Sequence, residues 1–137
     1  MIKMFSIYVL VYKFKNHDVN YKKFLIISGL DQSEDEKLIK DEFANNTEII
    51  FTADKKINHV IPFLKKCMFC VGNDTGFAHL SVNLDIETLV IHGDCIPQNY
   101  TPLLKHVDIE PDVIRSSTSI NSIKTEKVLN KLTNYFL

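Results

Sequence analysis

The stretch Val71-Gly72-Asn73-Asp74-Thr75-Gly76-Phe77-Ala78-His79-Leu80 decides the reading of this chain. It passes from an apolar run through a polar turn into a helix-forming run. A helix start carries unbonded N–H groups and partial positive charge. Gly76 lets a backbone approach a ligand closely, and Thr75 offers a hydroxyl. Together they suit a phosphate or pyrophosphate. Asp74 does not suit a phosphate directly, but it suits a sugar hydroxyl. His79 lies one turn into the helix, where its side chain leans back toward the turn. The same residues also read as plain structure: Asn73, Asp74 and Thr75 as helix caps and His79 as a core histidine.

Outward from this turn, short apolar runs alternate with amphipathic stretches. Strands are predicted at residues 24–28, 48–52, 68–72 and 88–92, with a short edge strand at 107–109. Helices are predicted at 33–45, 56–66, 77–83 and 119–136. Ser33 and Glu36 form a capping box for the first of these. Pro62 predicts a late start or a kink in the second. Residues 94–106 read as loop. Alternating strands and helices predict a Rossmann-like α/β fold, a parallel sheet with helices on both faces. In such sheets ligands bind at the carboxyl ends of the strands.

The chain has 137 residues, one ordinary domain able to bury about two thirds of its unfolded surface. A net charge of −1 gives no basic field for nucleic acid. Fifteen Lys stand against the single Arg115, in short scattered pairs that read as solvated surface. The apolar opening, residues 5–12, falls short of the about 20 residues needed to span a bilayer. Cys67, Cys70 and Cys95, with no secretory signal, fit a reducing compartment and a cytoplasmic location. Cys67-x-x-Cys70 and His92-x-x-Cys95 resemble metal-ligand pairs. The predicted sheet places the two pairs ~10–15 Å apart, too far for one zinc. The expectation is buried free thiols and no metal. His17, His59 and His106 have no partner at a recognisable spacing and read as surface residues.

The run Asp74-Thr75-Gly76-x-x-His79-x-Ser81, followed by a strand, Gly93 and Tyr100-Thr101-Pro102, resembles the signature of glycosyltransferase family nine, the ADP-heptose:lipopolysaccharide heptosyltransferases. Ser81 stands where the family usually has Ala, and His92 where it has an aromatic before Gly93. The resemblance runs from about Phe24 to Phe136. It implies a GT-B enzyme of two Rossmann-like domains, of which this chain matches the C-terminal, donor-binding one. Asp74, Thr75, Gly76 and His79 are then expected at the diphosphate and sugar of ADP-heptose or another nucleotide sugar. Glu34 is expected at the ribose, with Asp31 and Glu36 as alternatives. Glu34 also reads as a solvated first-turn acid. No cofactor is implied.

The departures from the family carry expectations too. No N-terminal acceptor domain is matched, so no catalytic residue is assigned. The reading is an N-terminally truncated domain, inactive alone. The alternatives are a non-enzymatic nucleotide-sugar binder, one half of a split enzyme completed by a separate acceptor domain, or a decayed fragment. The resemblance also places the cytoplasmic site near the inner membrane. The domain's first, central strand is missing from the match, which predicts an unpaired sheet edge prone to self-association. Residues 1–23 are expected to be a remnant helix and loop, with 24–137 as the family-like core. A replacement strand at residues 5–12 is the rival, favoured by Tyr8, Val9, Val11 and Tyr12.

Overall fold

A computed structural model describes residues 8–13, 22–27, 33–42, 49–52 and 55–136. Their strands are β1 (Tyr8–Lys13), β2 (Lys22–Ile27), β3 (Ile49–Phe51), β4 (Cys67–Asn73), β5 (Glu87–Ile91) and β6 (Leu104–Val107). The helices are α1 (Ser33–Glu42), α2 (Ile57–Leu64), α3 (Gly76–Asn83) and α4 (Thr125–Phe136). A 3-10 turn, Ser119–Ser122, precedes α4.

The strands form one sheet in the order β3-β2-β1-β4-β5-β6. That is the order of a doubly wound dinucleotide-binding sheet. Neighbours pair parallel except at β1, which runs antiparallel to both β2 and β4. The helix expected within residues 5–12 is therefore corrected: Tyr8–Lys13 is a central strand. Residues 5–7 lie outside the described residues. β-branched and aromatic residues favour this strand. Its direction follows from chain length. Only eight residues separate Lys13 from Lys22, and a parallel crossover needs a dozen or so. An antiparallel return is the arrangement that remains. The place of the missing central strand is thus filled, and the edge expected there does not exist. Opposite Val11 and Tyr12 the register skips Met68, a β-bulge in β4.

Alternation divides the sheet into two faces. Leu25, Ile27, Cys70, Val90 and Leu104 share one, and Val60 and Leu64 of α2 and Ala78 and Val82 of α3 pack on it. Full burial of each large aliphatic side chain here contributes about 1.5–3 kcal/mol. Ile26, Leu89 and Val107 are buried on the other face. There Lys105 of β6 reaches the ring of Tyr135 of α4, its Nζ 5.5 Å from the centroid. Helices cover both faces, as right-handed crossovers require. Pro62 sits inside α2 without ending it.

Two boundaries differ from expectation. The edge strand lies at Leu104–Val107, three residues before the expected one, because Leu104 and Val107 are buried while Lys105 and His106 disguise the run. The last helix divides at Ile123, whose ψ of 121° is extended. Ser119 and Ser122 hydrogen-bond to backbone carbonyls three residues earlier, competing with a continuous helix. No helix of the described residues is long and apolar enough to cross a membrane.

Candidate functional site

The carboxyl ends of three parallel strands stand side by side, with Asn73 paired to Ile91 and Ile91 to Val107. β1 enters this edge by its amino end, so no strand-to-helix turn rises from the centre of the sheet. The turn after β4 carries a helix start beside the centre. Asp74 and Thr75 form it, and α3 begins at Gly76.

Neither Asp74 nor Thr75 caps α3 with its side chain. Thr75 occupies the cap position, extended, with no side-chain cap bond. Its Oγ1 is buried without a hydrogen-bond partner. A Cβ placed on Gly76 would meet nothing within 4 Å. Its φ is not positive either. Nothing within the described protein therefore demands glycine there. For Asp74 and Thr75 the plain capping reading fails on these contacts.

The Asp74 carboxylate turns instead to histidines. Oδ1 accepts from His79 Nε2 at 3.0 Å. Oδ2 lies 3.4 Å from Nδ1 of His92, within ion-pair reach but off the line of a hydrogen bond. His79 is the fourth residue of α3, and its ring leans back over the turn. Its Nδ1 meets the Tyr100 hydroxyl at 2.6 Å, with the two rings stacked at 5.8 Å. His92 follows β5 and is 2% exposed. Its Nε2 bonds Nδ1 of His106 at 2.8 Å. Burial pushes both histidines below the ordinary imidazole value, and Asp74 only partly offsets this. Burial thus favours their neutral forms. His106 is corrected from a surface residue to a partner of His92. His59 is exposed, and His17 lies outside the described residues.

Asp74, His79, His92, Gln98, Val90 and Leu104 line a small open pocket of about 70 Å³. A small-molecule site is normally several times larger, about 300–1,000 Å³. The pocket has room for a phosphate-sized group and not for a whole nucleotide sugar. Among the expected residues, Asp74 and His79 line it, and Thr75 and Gly76 adjoin it. Glu34 is exposed in the first turn of α1 and does not line it. β1 separates β2 from β4, so α1 starts from a strand about 10 Å away along the same edge. Asp31 lies outside the described residues.

Sequence reasoning placed His92 and Tyr100 near the signature but gave neither a role. Gln98 and His106 carried no signal of their own. Arg115 braces the loop after His92. Its guanidinium bonds the Cys95 carbonyl at 2.9 Å and forks onto Asp108, holding that carboxyl below its usual range. Burial pushes the thiols of Cys67 and Cys70 up to about 12, so neither is a ready thiolate ligand or nucleophile. Among the described residues no three His, Cys, Asp or Glu side chains could share a metal ion.

The model of glycosyltransferase family 9 (heptosyltransferase) matches residues 17–129. No curated protein and no solved structure matches the chain. β1 precedes the matched span, while the Asp74 turn, α3 and the strands on either side of them lie inside it. Sheet order, signature and matched span agree, and the chain belongs to glycosyltransferase family 9, the heptosyltransferases.

Proposed function

We propose that the edge around Asp74 binds the diphosphate of a nucleotide-diphosphate sugar, ADP-heptose by family resemblance. The residues would serve the donor side of an inverting heptosyl transfer to a lipopolysaccharide core acceptor. One observation carries this reading. At the start of α3 a glycine with open space before it adjoins a buried, unpartnered threonine hydroxyl. An anion there would take the Gly76 N–H, the Thr75 hydroxyl and the helix dipole at once. His79 would stand beside it, and Asp74 would hold His79. Glu34 is the proposed ribose ligand, reached along the strand edge.

Isothermal titration calorimetry with ADP and ADP-sugars tests the proposal. Binding is expected, weakened about tenfold or more by Gly76→Val, whose branched side chain would occupy the approach while the fold persists. An absence of heat with millimolar ligand sinks the donor-site reading.

A second reading is binding without turnover. Both oxygens of Asp74 already face imidazoles, and the pocket is too small to enclose a sugar and an acceptor together. General-base catalysis needs a further group positioned across the sugar. The 137-residue polypeptide is expected to bind donor and transfer nothing, unless an acceptor domain is supplied separately. Sugar transfer by the purified polypeptide, lost in Asp74→Ala, would overturn that. The cytoplasm, at the inner-membrane face, is the proposed place for this donor chemistry.

A further inference from the structure

We propose that His92, braced by His106, is a positioning residue that fixes Asp74, and through it His79, at the ligand edge. The groups form one chain: Tyr100, His79, Asp74, His92, His106. A carboxylate only accepts, so the nitrogens facing Asp74 must carry the protons. His79 is therefore protonated at Nε2, and the 3.4 Å ion-pair contact with Oδ2 favours a proton on His92 Nδ1. A neutral imidazole has one N–H, so the other nitrogen of each ring is an acceptor. In the all-neutral order Tyr100 donates to His79 Nδ1, and His106 Nδ1–H donates to His92 Nε2. Reversing the His92–His106 bond would leave a bare lone pair of His92 beside the Asp74 oxygen 3.4 Å away. The contact with Asp74 favours this neutral proton order over its reverse.

The register explains why the pair exists. His106 pairs with Val90 in the sheet, and His92 extends the same face two residues later. The two imidazoles thus meet above adjacent strands, 14 residues apart in sequence. His92 fills the place of an aromatic before Gly93 and is buried like one, but it adds a polar edge aimed at Asp74. Without it, the 22%-exposed carboxylate would keep only the His79 contact and could swing toward solvent.

The ligand arm of the test rests on the donor-site reading, and the spectroscopic arm does not. Long-range proton–nitrogen NMR of the full chain near pH 8 is expected to show His92 and His106 as Nδ1–H tautomers and His79 as Nε2–H. His92→Asn keeps an N–H near the Nδ1 position. His92→Gln keeps a polar group near Nε2, and His92→Phe keeps neither. Gln and Phe are expected to lower ADP affinity about tenfold and to mix the His79 tautomers. Asn is expected to stay within about threefold, with His79 unchanged. His92 found as the Nε2–H tautomer would overturn the proposal. So would an unchanged His79 signature in all three variants, even with lowered melting temperatures, since that marks packing alone. If the native chain binds no ADP, the donor reading fails, and the tautomers and the His79 signature still decide this one.

Discussion

Gly76 and Gly93 belong to the same signature, yet they are glycines for different reasons. A Cβ on Gly76 points into open space, whereas one on Gly93 would stand 2.6 Å from Ile120 Cβ and 2.8 Å from the Ile120 nitrogen. The first borders open space, where the proposed ligand would sit, and the second lets the 3-10 turn approach the loop after β5. Gly93→Ala must shift backbone and is expected to cost about 1–3 kcal/mol in chemical denaturation. Gly76→Ala is expected to leave stability unchanged or slightly raised, since alanine suits a helix better. Equal losses at both positions would show that Gly76 is also a packing residue. The motif was legible as a run of residue types, but this division of labour was not. What a Cβ would strike is set by Ile120, 27 positions away from Gly93 in the chain.

Among the elements, α3 shows how much a short helix depends on its ends. It closes with the N–H of Ile86 bonded to the Ser81 carbonyl and that of Asp85 to the Val82 carbonyl, each at 3.0 Å. This is a Schellman closure, which places its residue after the cap in the left-handed region. That residue is Asp85, at φ 60°, where glycine is more at ease. Asp85→Gly is expected to raise stability by up to about 1 kcal/mol in urea unfolding. A loss instead would mean that the Asp85 side chain stabilises the turn. The β5 and β6 strands carry a pH dependence through His92 and His106, with Asp74, Asp108 and Arg115 around them. Burial lowers both histidines in the fold. As pH falls below about 6.5 the unfolded chain takes up protons first, so stability falls until the folded chain protonates too. The melting temperature is expected to drop between pH 8 and pH 5.5, and to drop less in His92→Phe. An equal drop in both proteins would place the titration elsewhere.

For the molecule as a whole, the consequential strand is the one that lies outside the matched family span. β1 hydrogen-bonds on both sides, pairing Leu10 with Leu25 and with Cys70. It closes the gap between two parallel halves, β3-β2 and β4-β5-β6. Leu10→Pro removes a ladder donor from the centre of the sheet. Its expected outcome is loss of cooperative melting by circular dichroism and self-association by size-exclusion chromatography, as β2 and β4 are bared. A variant that stays monomeric and melts like the native chain would mean that β1 is dispensable.

Local pattern determined most of the element order from β2 to α4, because apolar spacing and turn residues act within a few positions. It determined the Asp74–His79 signature for the same reason, since both residues lie on one turn and the helix that follows it. It did not decide whether residues 8–13 were helix or strand. Their side chains favour a strand, but β structure is realised only by pairing with partners that are distant in sequence or short of crossover length. Nor could it join His92 to His106 or attach both to Asp74. Those contacts appear only once β5 and β6 align in register and bring the far ends of three strands together. The tertiary structure alone decided them, because a hydrogen bond depends on direction as well as distance, and sequence spacing carries neither between separate strands.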